Sequence, residues 1–423
     1  MTPLVRQFRD FFVSLKLTVV LLALSIVLIF WATLAQVQLG IWGVQEKFFH
    51  TFFVLENIPG TAIPVPVFPG GYFLGGLLIL NLVAAHLYRF KLEWKKAGIQ
   101  LTHLGLILLL LGELITSLQQ VESNMRLPEG GTMRYSESYR INELAILDTT
   151  NPEFNEVVAI PEAVLADGGS IQHPKLPFQI RIRDYYPNAA LAMRDQAPLP
   201  EFATSVAGSA KGAGSRPEQN SGQIPGGQQA ATGPLATAGI GPRVAVTPLR
   251  LTYKQDERNA PAAHLEFVGP EGTLGTWLVS PLLGMPQKFD YAGRTWEIAL
   301  RFKRYYYPFA LTLIDFTHEK YAGTDIPKNF ASRIHLKTDD AREDREVLIY
   351  MNNPLRHAGL TFYQASFEKG DKVSILQVVR NPGWVLPYIA CIMMGLGLLV
   401  QFGIHLLGFV RKRAAAAAVA NSG

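Results

Sequence analysis

Residues 99–118 read IQLTHLGLILLLLGELITSL. Twenty residues with two ionisable side chains, His103 and Glu113, are what a helix needs to cross the apolar core of a bilayer. Three further stretches share this character: 17–36 (LTVVLLALSIVLIFWATLAQ), 71–88 (GYFLGGLLILNLVAAHLY) and 385–410 (VLPYIACIMMGLGLLVQFGIHLLGFV). The first is too long for a cleaved signal and lacks a small-x-small site after it, so it reads as an anchor. The whole chain of 423 residues is 48% hydrophobic and only 17% charged. A soluble chain carries about 25% charged residues.

Lys and Arg in the short loops set an expected orientation. Arg6, Arg9 and Lys16 precede the first span, Arg89, Lys91, Lys95 and Lys96 join the second to the third, and Arg411, Lys412 and Arg413 follow the fourth. The first connecting loop holds only Lys47. Both termini are therefore expected on the cytoplasmic side of a bacterial inner membrane, with the segment 119–384 outside. The net charge of +5 lies along the cytoplasmic face and needs no nucleic-acid partner. Trp42, Phe48, Phe49, Phe52 and Phe53, with His50 among them, read as an aromatic anchor at the outer interface.

The outer segment alternates apolar and polar residues between Gly, Asp and Asn turns. Examples are 133–135, 178–183, 248–253, 276–279, 296–300, 311–314 and 373–379. This period favours strands. A stretch from about 197 to 241 (AGSAKGAGSRPEQNSGQIPGGQQAATGP over 207–234) has almost no aromatic or large aliphatic residues and reads as a flexible loop. The expected fold is a polytopic α-helical membrane protein with four transmembrane helices and one large all-β extracytoplasmic domain. Its parts are a membrane region over 1–118, the outer domain over 119–384, the last helix and a tail over 411–423.

The chemistry-bearing motifs are few. There is one cysteine, Cys391, in an apolar run, so no internal disulfide and no CxxC or CxxCH. It reads as a small buried hydrophobe. P-loop, GxSxG, HExxH and dinucleotide fingerprints are missing from the sequence. Three histidines, His86, His103 and His405, fall inside the apolar spans near their cytoplasmic ends. Ionisable groups there usually face a partner or a cavity, and imidazole is a common axial ligand of haem iron. Each also has a plainer reading: His86 and His405 at the interface, His103 in a helix–helix hydrogen bond. Glu113 is expected within the third helix, paired with a histidine or a cation or accepting a backbone hydrogen bond near the outer surface. His357, in a turn, reads as a solvated loop residue.

Taken together, these residues resemble the ResB (CcsB) family of system II cytochrome c biogenesis proteins. The resemblance runs through Ser14-Leu15-Lys16-Leu17-Thr18, Asn81-Leu82, the 103–116 run, Glu129-Gly130-Gly131 and Asp290-Tyr291-Ala292-Gly293 before Trp296. Its most specific piece is NNPLRHAGLTFYQASF at 352–367. The resemblance implies a subunit that works with a ResC (CcsA)-type membrane protein. The pair would carry haem across the membrane and present it to the CxxCH motif of an apocytochrome c. A WWD segment belongs to the partner, so this chain is expected to be an accessory subunit of a haem lyase and not an enzyme alone. In fused members the ResB half supplies one ligand to the intramembrane haem, from the helix before the large domain. That implies His103 as the iron ligand, with His86 and His405 as weaker alternatives. The rival expectation is a scaffold or chaperone that stabilises the partner, or holds apocytochrome c, without binding haem. A ligand sensor ranks last, because the sequence offers no cytoplasmic output domain.

Overall fold

The computed structural model describes residues 3–58, 61, 63–89, 93–194, 235–254, 257–323, 327–368, 370 and 372–420. Lys91 and most of the Gly/Ala/Gln-rich stretch lie outside the described residues. Its end, 235–241, is described: Ala236 is buried and Ala238 bridges to Trp277. The chain divides into two compact units. One comprises Met1–Glu122, Ile314–Ile334 and Val347–Gly423, the other Ser123–Leu313 and His335–Glu346.

The first unit is built on helices α1 (Pro3–Phe12), α2 (Leu15–Val44), α3 (Gly71–Arg89) and α4 (Ala97–Gln119). It ends on Leu386–Ala420, which becomes α6 once the short helix α5 (Glu162–Asp167) of the other unit is counted. Four of these helical stretches are long and apolar enough to cross a membrane. The observed helices start within two residues of the expected spans, but two run on. α2 continues to Val44 through a break at Gly40 (φ 71°, ψ 169°). α6 continues into 414–418, a run of alanines, the best helix former.

Two devices hold this unit together. Asn81 of α3 is buried and grips the joint between α1 and α2. Its amide donates to the carbonyls of Phe12 (2.6 Å) and Ser14 (3.2 Å), and its Oδ1 accepts from Thr18 (2.6 Å). The Phe12 carbonyl, in the last turn of α1, is one that a helix end leaves unsatisfied. The second device is a glycine stripe on α4. Gly98, Gly105 and Gly112 recur every seven residues, on one face, and all are buried. A Cβ on Gly98 would meet Gln401 N and Gly397 O at 2.6 Å. On Gly105 it would meet Met394 Cγ at 2.7 Å, and on Gly112 Leu386 Cβ at 2.9 Å. The descending numbers on α6 show an antiparallel pair at backbone-to-backbone distance. Small residues permit such an approach where water supplies no driving force between helices.

At the other end of this pair, Asn381 donates to Thr116 Oγ1 (3.2 Å) and Gln120 Oε1 (3.4 Å). Glu122 accepts from Gln120 and from Gln377 (3.2 Å). A meander of Leu355–His357, Leu360–Phe367 and Val373–Arg380 leads into α6. Its first turn uses Ala358 and Gly359, both at positive φ (49° and 75°), the backbone of a tight two-residue hairpin.

The second unit is a sandwich. One layer runs Gly272–Val279, Ala262–Gly269, Gln179–Tyr186, Gly169–Ile171, all antiparallel. The other pairs Gln287–Tyr291 with the first part of Arg294–Lys320, then Thr132–Asp148, then Glu156–Pro161. The inward residues of both layers form one core: Leu144, Ile146, Val158 and Ile298 face Ile180, Leu265, Phe267 and Val279. Phe178 stands at its centre, within ring contact of Phe267, Phe289, Tyr291 and Trp296. The unit is mostly β, not all β. Within it, α5 places Glu162 to accept from Tyr185 (2.6 Å) and from both nitrogens of Asn142. Burial, then that carboxylate, raises the Tyr185 phenol above its ordinary range.

One expected strand did not form. At 248–253 the alternation PLRLTY ends as a strand at Pro248. Side chains then satisfy the backbone in place of a ladder. Asn188 donates to Arg250 O (2.7 Å), and Asn259 bonds both N and O of Thr252 (2.9 Å each).

Candidate functional site

His86 lies in the last turn of α3 and His103 in the second turn of α4. The short connection makes these helices neighbours, and the two imidazoles meet with centroids 6.5 Å apart and planes at 67°. His86 is half-buried and His103 exposed. Neither α6 nor the glycine stripe covers His103, so an imidazole is left available on the outer surface of an otherwise apolar helix.

His405 does not join them. On α6 it lies beyond Gln401, which packs at the level of Gly98. The Gln401 amide donates to His405 Nε2 (2.8 Å), the nitrogen a metal would otherwise take. Among the described residues no group of three or more His, Cys, Asp or Glu is arranged to hold a metal ion.

Several other positions differ from expectation. Glu113 is exposed on α4 and makes no hydrogen bond or ion pair among the described residues. Cys391 is exposed, not buried. Phe48, expected as an interface anchor, is 1% exposed and packs edge-on against Trp31 (5.2 Å). Phe52 and Phe53 do stay exposed, and His50 stacks on Tyr72 (5.7 Å). His357 is half-buried in a strand opposite Leu360. The neighbouring Arg356 guanidinium lies over the Trp384 ring (4.2 Å), just before α6.

The second unit holds a buried histidine that sequence reading did not single out. His264 is 5% exposed, edge-on to Tyr186, with Nδ1 3.8 Å from Asp184. Burial lowers its pKa, opposed by Asp184 and reinforced by Arg194. An open cleft of about 270 Å³ is lined by Pro174, Lys175, Leu176, Pro177, Ala292 and Arg294. Both of its cations are already paired, Lys175 with Glu156 and Arg294 with Asp148. It therefore offers no free charge to a ligand.

Fold and site define a class: a mostly β domain on a chain with four long apolar helices, two of which bring a pair of histidines together. The ResB-like family model matches residues 295–375, which hold the later strands and the 352–367 block. Protein NrfI of Wolinella succinogenes is 33% identical over 92 residues, 22% of this chain and 10% of that protein. Both matches show a likeness to the ResB-like family over part of the chain. The matched family segment lies in the strands, so the histidine-bearing helices are outside it.

Proposed function

We propose that this chain is a membrane subunit of cytochrome c biogenesis of the system II kind, working with a ResC (CcsA)-type protein in haem delivery to apocytochrome c. The ResB-like match supports the biogenesis role. The four apolar helices support residence in a membrane, multi-pass in a bacterial inner membrane with both termini cytoplasmic by the distribution of Lys and Arg.

The observation that carries the haem reading is the exposed His103 ring beside His86. These residues fit haem in one specific sense. An imidazole in an apolar, lipid-accessible setting is a competent axial ligand, and one exposed on the helix surface can be shared with a group lying between two proteins. His103 would hold the iron. The haem supplies the vinyl groups that become thioether bonds on the apocytochrome. This chain holds and orients, with His86 adjoining the ligand and α6 fixing α4 through the glycine stripe. His405, paired with Gln401, is the weaker ligand.

The test is the absorption spectrum of the full chain purified with its ResC-type partner. A Soret band that His103→Ala removes or shifts, and that His86→Ala and His405→Ala leave in place, is the expected result. A band indifferent to all three substitutions puts the iron wholly on the partner and makes this chain its scaffold.

A further inference from the structure

α4 carries a second seam besides its glycines. Ile99, His103, Leu106, Leu110, Glu113 and Ser117 are spaced by four and three residues alternately, the repeat that presents one line of side chains to a partner helix. The glycine seam is filled by α6. The second is open: Ile99, His103, Leu106, Glu113 and Ser117 are all exposed and Leu110 is half-buried. At His103 a neighbour from α3, His86, comes up to it.

An open apolar seam would suit lipid. Glu113 does not: it lies six residues, about 9 Å, inside the end of α4, and it makes no hydrogen bond or ion pair among the described residues. A carboxyl group facing lipid there is strongly unfavourable. It needs a donor, and the described residues of this chain do not supply one.

We infer that this seam docks a transmembrane helix of a different protein, one that carries a cation or hydrogen-bond donor level with Glu113. A second copy fits badly. Copies inserted in one membrane share an orientation, so a two-fold pair along this seam would set Glu113 against Glu113. Like acids facing each other repel, whereas a basic or hydroxyl-bearing helix complements the carboxylate. The inference deepens the proposed function, since it rests on α4 crossing a membrane beside a partner. It assigns the contact to residues outside the segment that the family model matches.

The experiment uses the full chain in membranes, co-expressed with the ResC-type protein. A benzophenone label is placed at Leu110→Cys in a Cys391→Ala background, with Leu399→Cys on the exposed side of α6 as control. The expected photo-adduct maps to a transmembrane helix of the partner, with none from Leu399→Cys. Glu113→Leu lowers its yield by roughly tenfold, as loss of one intramembrane hydrogen bond allows, while Glu113→Gln retains most of it. An adduct with a second copy of this chain, label confined to lipid, or a yield that ignores Glu113→Leu overturns the inference. The Soret band separates the two readings. An adduct that persists while the band ignores His103→Ala removes the haem-ligand role and leaves the seam. A band that follows His103 without any adduct removes the seam and leaves the role.

Discussion

Replacing each α4 glycine by alanine, one at a time, tests how α4 and α6 are held. A new Cβ at Gly98 would sit 2.6 Å from two backbone atoms, Gln401 N and Gly397 O. Backbone cannot rotate away, so the helices must part. Overpacking of this kind is destabilising by about 1–3 kcal/mol. Alanine regains about 1 kcal/mol over glycine in a helix interior, which leaves a net loss of roughly 0–2 kcal/mol, nearest the upper end at Gly98 where backbone atoms are met on contact. At Gly105 the nearest atom is the flexible Met394 Cγ (2.7 Å), but Ala390 O follows at 2.9 Å. At Gly112 only Leu386 Cβ is close (2.9 Å), with other atoms at 3.6 Å and beyond, so the helix gain roughly cancels the clash. The expected order of thermal unfolding midpoints for the detergent-solubilised chain is Gly98→Ala lowest, Gly105→Ala intermediate, Gly112→Ala near wild type. Equal midpoints, or Gly112→Ala as the most damaging, would refute close backbone approach as the basis of the pair.

Two predictions concern the sandwich. Ala292 sits at φ 54° in the two-residue turn between Tyr291 and Arg294. Asparagine tolerates that backbone better, so Ala292→Asn should raise stability by part of the roughly 1–2 kcal/mol that a left-handed residue costs, read in denaturant, and a loss of stability would count against the turn assignment. His264 has a folded-state pKa below its ordinary 6.5, chiefly through burial. The unfolded chain therefore binds more protons, and the stability its neutral ring contributes is fully present above about pH 6.5 and is lost as pH falls from there through the lower folded-state value. The melting temperature of the wild type should drop more between pH 7.5 and 5.5 than that of His264→Gln, and identical drops would remove His264 from the account.

What the sequence made legible follows from the physics of each element. The long apolar helices could be read from composition alone, because about twenty consecutive apolar residues have the length and character of a helix able to cross a bilayer. Their far ends could not. The extension of α2 past Gln36 runs through polar Gln38 and a broken Gly40, and that of α6 through a tail of alanines. Strands were legible where one face is buried, as in Gln179–Tyr186. PLRLTY misled because its alternation is real, while its backbone partners are side chains, Asn188 from far upstream and Asn259 from just downstream. The site was half legible. His86, His103 and His405 stood out as intramembrane imidazoles, but which of them meet depends on helix neighbours and rotation. His264 sits in the strand AAHLEFVG on the face opposite Leu265 and Phe267, and the alternation did not show that this second face is buried too. Glu113 looked like an internal group until α6 took the other face of its helix.

The pairing of α4 with α6 also has a consequence in time. Residues 120–385 lie between the two helices. A ribosome adding about 5–20 residues each second finishes α6 on the order of tens of seconds after α4 has left it. Throughout that interval Gly98, Gly105 and Gly112 have no native neighbour, and a stripe of bare backbone is open to any helix nearby. Assembly of the nascent chain thus has a waiting period whose length is set by the domain inserted between the two halves of the seam. Lengthening that domain, or slowing its translation, prolongs the time in which a wrong helix can settle there.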